Sequence, residues 1–127
     1  MIHVVVGVIY NTHDQILIAL RPPGKPFPGY WEFPGGKVER DEAPLNALHR
    51  ELEEEIGIVV LKSEPFIQIE HHYEDRHIFL DVFHIHAFEG NPEPREGQVL
   101  KWIAREELKC YEFPSGNTRI VERLLKM

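Results

Sequence analysis

Cysteine is almost missing from this sequence: Cys110 is the only one in 127 residues. A lone thiol excludes an intrachain disulfide and any zinc cluster built on several cysteines. Cys110 is therefore expected to be an inert small hydrophobe in a reducing compartment. Positive charge is scarce as well, with 14 Lys and Arg against 21 Asp and Glu and a net charge of −7. Gripping a nucleic-acid strand by its phosphates needs a basic face, so a polymer partner is not expected. A small phosphorylated ligand that arrives with metal ions is compatible with the same balance. No apolar stretch approaches the roughly 20 residues of a membrane span. No Lys or Arg precedes Arg21, and no small-residue cleavage site follows the first apolar run. Neither a signal peptide nor a membrane association is expected, which makes a cytoplasmic location the default. Internal repeats and low-complexity tracts are also lacking. The length suits one domain, 1–127, with roughly two-thirds of the unfolded surface buried on folding.

The chain reads as strands interleaved with two substantial helices. Val4 to Tyr10 and Gln15 to Leu20 are apolar runs parted by the polar turn Asn11-Thr12-His13-Asp14, and the first suits a strand buried on both faces. Six of the eight residues from Pro22 to Gly29 are Pro or Gly, which imposes a loop. Tyr30 to Phe33 predicts a short strand ending in a sharp reversal at Pro34-Gly35-Gly36. A helix follows, with Asp41 as N-cap, Pro44 in the first turn, Gly57 as its stop, and a buried stripe of Leu45, Leu48, Leu52 and Ile56. Phe66 to Ile69 and Ile78 to Phe88 predict further strands joined by a polar connection, His71 to His77. Val99 to Ile103 predicts a short strand and Arg105 to Lys109 a helical turn. Asn117 suits the cap of a last helix with Ile120, Val121, Leu124 and Leu125 on its apolar side. This interleaving indicates an α/β or α+β domain.

The first helix concentrates charge in Arg50-Glu51-Leu52-Glu53-Glu54-Glu55. At about 100° per residue, Glu51, Glu54 and Glu55 share an arc beside the apolar stripe, whereas Glu53 points to solvent. Arg50 lies one turn before Glu54, placed to pair with it. Like charges at this spacing destabilise a helix, and these acids flank the core stripe rather than oppose it. Carboxylate-rich, all-oxygen sites suit hard cations such as Mg2+ or Mn2+. Glu96, alone in a Pro/Gly-rich loop, is a further acid able to close such a site.

Gly36, five residues, Glu42, seven residues, then Arg50-Glu51-Leu52-x-Glu54-Glu55-x-Gly57-Ile58 resembles the Nudix box (36–58) at every fixed position. Seven fixed and two aliphatic positions would coincide by chance about once in 10^10 starts at average residue usage. Phe33-Pro34-Gly35-Gly36-Lys37, Arg21, Asp75-Arg76-His77, Glu96-Gly97-Gln98 and Phe113-Pro114 with Asn117 resemble the MutT branch of that superfamily. The resemblance implies the Nudix fold, an α/β/α sandwich with a mixed sheet flanked by helices. It implies Mg2+-dependent hydrolysis of oxidised purine nucleoside triphosphates, 8-oxo-dGTP to 8-oxo-dGMP and pyrophosphate, which sanitises the nucleotide pool and prevents mutation. Another nucleoside diphosphate derivative is the alternative substrate, and a non-catalytic nucleotide-sensing module the alternative class. Both monomers and homodimers fit the resemblance.

It also implies residue roles. Glu51, Glu54 and Glu55, with Glu96 and the Gly35 carbonyl, would hold Mg2+, with Mn2+ as substitute. Glu51 is the first candidate for the essential ligand, joined by Glu54 and Arg50 in the catalytic group, while Glu42 and Arg50 fix the loop and helix. The base among the coupled carboxylates is not assignable from sequence. Arg21, Phe33, Arg76, Asn117 and Lys37 would bind substrate. Phe33 would stack on the base, and Asn117 would offer an amide acceptor and donor to the purine edge. Asn117 as a plain helix cap, and Arg21, Arg76 and Lys37 as surface charge, stand beside those roles. His84 and His86 share a strand face, which permits a His-based metal site geometrically; lacking a third ligand at clear spacing, solvent-facing strand positions or groups surrounding the nucleotide are the preferred reading. Trp31 and Trp102 read as core or core-edge aromatics.

Overall fold

A computed structural model describes residues 1–24 and 28–127, and the side chains of all of these but Tyr73. In chain order it contains β1 (Ile2–Ile9), β2 (Ile16–Leu20), β3 (Trp31–Glu32), β4 (Gly35–Lys37), α1 (Pro44–Ile56), β5 (Val59–Tyr73), β6 (Arg76–Glu89), β7 (Val99–Ile103) and α2 (Thr118–Leu125). Short 3-10 turns at Arg105–Cys110 and Ser115–Asn117 precede α2. The Pro/Gly loop expected from Pro22 to Gly29 falls partly on residues 25–27, outside the described residues.

The strands form a four-stranded sheet, β4-β1-β6-β5, and a three-stranded sheet, β3-β2-β7. The larger sheet is mixed: β1 runs parallel to β6 but antiparallel to β4, and β5 is antiparallel to β6. Strand alternation explains the layering. Val5 and Ile9 of β1 face the α1 stripe of Ala47, Leu48, Leu52 and Ile56, while Val6 and Val8 face the opposite core with Ile120 and Leu124 of α2. The sheet is thus sandwiched between the helices, and β1 is buried on both faces as its continuous β-branched run requires.

Several expectations need correction. The N-cap of α1 is Ala43, in extended conformation, and Pro44 opens the helix; Asp41 lies outside it at φ 63°. Pro44 supplies the preset φ that a side-chain cap would otherwise support. Leu45 is 47% exposed, and Ala47 takes its place in the stripe. The predicted reversal at Gly35-Gly36 is instead β4, paired to β1 through Val6 and Gly35, Val5 and Gly36, and Val4 and Lys37. The polar connection His71 to His77 is mostly strand: β5 and β6 continue through it to a two-residue turn at Glu74-Asp75. Leu125 is largely exposed, and so is Cys110, which is not a core hydrophobe.

Candidate active site

The site begins where β4 meets α1. A Cβ on Gly35 would fall on the Val5 carbonyl, and one on Gly36 would fall on the Glu51 carboxylate. Two glycines therefore let β4 lie against β1 on one side and admit the Glu51 carboxylate on the other. At the far end of α1, Gly57 adopts the left-handed conformation (φ 73°) and closes the helix with its N–H toward the Glu53 and Leu52 carbonyls.

The loop after β6 docks on that helix end. Backbone N–H groups of Glu93 and Arg95 donate to the Ile56 and Glu55 carbonyls at 2.9 and 3.1 Å. Buried Gln98 donates from Nε2 to the Glu55 carbonyl at 3.2 Å and accepts from the Glu96 N–H at 2.8 Å. The orphan carbonyls of a helix end thus become the anchor that brings Glu96 to the carboxylates.

A cavity of about 290 Å³ results, lined by Glu51, Glu55, Glu96, Gly35, Gly36, Lys37, Arg21 and Glu32 among others. Four acids against two bases give it a formal charge of −2 with every group ionised. Burial, then the charges of Glu32 and Glu96, push the Glu55 carboxyl up to about 8 against a backbone hydrogen bond from Gly35. Burial also raises Glu51, opposed by Arg50. A set of crowded, partly desolvated oxygen donors is what a hard divalent cation would neutralise, so these residues fit Mg2+ or Mn2+.

Arg50 is the hub beneath the cavity. Its Nε and Nη2 donate to the two oxygens of Glu42 at 2.8 and 3.0 Å; Nη1 donates to Glu51 at 2.9 Å and Glu54 at 3.3 Å, and Nη2 to the Lys37 carbonyl at 3.0 Å. The Arg50 hydrogen bond, seconded by the Glu39 N–H, holds Glu42 down at about 2. Glu54 sits at the rim, its side chain 56% exposed and turned to Arg50, outside the cavity lining.

A second cavity, of about 520 Å³, is walled by Ile78, Leu80, His71 and Arg76 of the β5–β6 hairpin and by Pro114 to Asn117. Arg21 lines both cavities and pairs with Glu32 at 3.0 Å. Asn117 is the N-cap of α2 by position, yet its side chain makes no capping hydrogen bond. Arg76 is exposed at the cavity rim. Phe33 is 4% exposed, and its ring stacks on Phe113 at 5.1 Å.

Sequence reasoning missed Glu32 and His71, and it quoted Gln98 without a role. Their signal is weak: Glu32 lies on a two-residue strand, and His71 falls in a polar stretch that reads as a connection, where neighbouring residues of a strand face opposite ways. His84 is buried and shares a 2.8 Å hydrogen bond with the Tyr10 hydroxyl through Nδ1, and His86 pairs with Glu64. Trp31 and Trp102 are half-buried at the core edge.

The sequence profile of the NUDIX domain matches residues 5–123. An 8-oxo-dGTP diphosphatase of Haemophilus influenzae is 39% identical over 98% of this chain and 92% of its own length. A CTP pyrophosphohydrolase of Escherichia coli is 35% identical over 97% and 91%. A solved structure from work on MutT of Aliivibrio salmonicida and Vibrio cholerae superposes with a TM-score of 0.87 at 40% identity, covering 98% of this chain and 97% of that one.

Proposed function

This chain belongs to the Nudix family, and we propose that it hydrolyses oxidised purine nucleoside triphosphates such as 8-oxo-dGTP, releasing the nucleoside monophosphate and pyrophosphate. The observation that carries this reading is the joining, at Arg21, of an acidic cavity to an apolar-walled cavity bearing an uncommitted amide. The first suits a triphosphate accompanied by cations; the second suits a base.

Glu51, Glu55 and Glu96, with the Gly35 carbonyl and Glu54 from the rim, would hold Mg2+, with Mn2+ as substitute. When bound, the cation screens the phosphate charge and lowers the barrier to attack by water at an inner phosphorus. Arg50 orients Glu51 and Glu54 and ties α1 to β4 through the Lys37 carbonyl. Lys37, at the cavity wall, meets a phosphate oxygen. Burial and its neighbours raise Glu55 in the metal-free protein, and a bound cation would lower it again and keep it ionised as a ligand.

In the second cavity the Asn117 amide oxygen accepts the N7–H that oxidation at C8 creates, while ordinary guanine offers only an acceptor there. A buried acceptor facing an acceptor leaves both unpaired, which is the source of discrimination. Arg76 and His71 border the base, and Ile78 and Leu80 supply apolar contact. Phe33 acts from beneath by fixing Phe113 and so the segment leading to Asn117.

A substrate panel with Mg2+, measuring pyrophosphate and phosphate separately, tests this. The expected result is pyrophosphate release with 8-oxo-dGTP far ahead of dGTP. Preference for CTP, the substrate in the name of the 35% identical relative, or for a dinucleotide or nucleotide sugar, would overturn it.

A further inference from the structure

Outside the acidic cavity, the β5–β6 hairpin carries a second group of metal-ligating side chains. Ligand atoms of Glu70, His72 and His77 all lie within 4.8 Å of one another. His72 and His77 are direct cross-strand partners, their rings stacked at 4.2 Å and 17°, and His77 Nε2 lies 3.1 Å from Glu70 Oε2. The tight turn at Glu74-Asp75 holds the two histidines together, and Glu70 joins them because i and i+2 share a strand face.

We propose that Glu70, His72 and His77 form a site for a borderline transition-metal dication such as Zn2+, distinct from the carboxylate site. The chemistry separates the two. Two imidazoles and one carboxylate suit zinc, nickel or copper, whereas Mg2+ demands oxygen donors throughout. Ligands of a tetrahedral zinc at about 2.0–2.1 Å stand about 3.4 Å apart, so atoms spread over at most 4.8 Å must draw together and the stacked imidazoles must turn until their nitrogens converge. The position is open to solvent, with His77 38% and Glu70 63% exposed, which gives an ion access and leaves its fourth position to water.

The location gives the site a consequence. His71 and Ile78, one residue along each strand from His72 and His77, point the other way and line the second cavity. An ion at Glu70, His72 and His77 ties the two strands together on the outer face of that cavity wall.

Zn2+ binding by calorimetry, with Mg2+ in large excess to fill the carboxylates, tests the proposal on the full chain. One Zn2+ per chain is expected, with affinity at least tenfold weaker in the double variant His72→Ala/His77→Ala and unchanged in His86→Ala. Zn2+ should raise the Tm of the wild type and not of the double variant. On the unsubstituted protein, ring signals of His72 and His77 should be the histidine resonances that Zn2+ shifts. Equal binding by the double variant, displacement of Zn2+ by added Mg2+, shifts confined to other histidines, or no binding would each overturn it.

Discussion

The guanidinium of Arg50 holds both oxygens of the Glu42 carboxylate, at 2.8 and 3.0 Å, and thereby braces helix α1 against the loop that precedes it. A planar, two-pronged donor is required, because the same group must also reach Glu51, Glu54 and the Lys37 carbonyl. Lysine keeps the charge and loses the fork. Arg50→Lys should lower kcat/KM about 10- to 100-fold, the range for residues that orient metal ligands. Steady-state kinetics across a Mg2+ titration checks this, since a positioning role also raises the Mg2+ concentration needed for half-maximal rate. Glu42 is depressed to about 2, so its pairing is present above the usual carboxylate range near 4.5 and is lost as pH falls through about 2.

Glu55 behaves in the opposite sense. Its folded-state value of about 8 lies above the ordinary 4.5, so between those limits the native state binds more protons than the unfolded chain. By linkage, its contribution to stability falls as pH rises through that window. The metal-free protein should therefore lose thermal stability from pH 5 to pH 9, by an amount on the order of a few kcal/mol. Glu55→Gln should flatten that slope and raise Tm at pH 8, and added Mg2+ should do the same for the wild type. Scanning calorimetry at several pH values reads all three.

Gly36 and Glu51 occupy one space, because a Cβ at position 36 would fall on the Glu51 carboxylate. Gly36→Ala should displace that carboxylate and reduce Mg2+-dependent turnover about as much as Glu51→Gln does, roughly 10²–10³-fold. Circular dichroism should show both variants folded. A fully active Gly36→Ala protein would remove Glu51 from the site.

Asn117 makes no capping bond that its loss would break. Asn117→Ala should leave the unfolding free energy within about 0.5 kcal/mol of wild type. It should narrow the preference for 8-oxo-dGTP over dGTP by about 10- to 100-fold, the effect of one to three kcal/mol from an unpaired buried group. Equal loss on both nucleotides would show that Asn117 does not read the base.

Gln98 links the Glu55 carbonyl to the Glu96 N–H from a buried position. Gln98→Leu removes both bonds while keeping most of the volume. Glu96 should then be poorly held, and the Mg2+ requirement should rise several-fold with little change in nucleotide KM at saturating metal. Kinetics at two fixed Mg2+ concentrations separates the effects.

Local rules made much of this protein legible. β-Branched continuity marked β1 as a doubly buried strand, spacing placed Leu48, Leu52 and Ile56 on one helix face, and Gly57 marked where that helix stops. The box from Gly36 to Ile58 holds seven acids and three bases, which locates most of the net negative charge on and just before one helix. Other features depended on partners remote in sequence. Gly35-Gly36 read as a turn because nothing nearby reveals that β1 lies alongside to pair with it. His71 to His77 read as a connection because polar residues on both faces hide strand periodicity, although the Glu74-Asp75 turn needs only two residues.

The sequence alone determined the acid excess, the carboxylate helix and the family pattern, since these follow from residue order and a fixed helical period. Only the tertiary structure decided which acids converge. Glu55 and Glu51 face the cavity while Glu54 remains at its rim, Glu96 arrives on a loop anchored to helix-end carbonyls, and Glu32 joins from β3. It also placed Phe33 in the core and Cys110 in solvent. The physical reason is that charge density and periodicity are properties of a segment. Burial, and the shifts in proton affinity it causes, are properties of segments brought together.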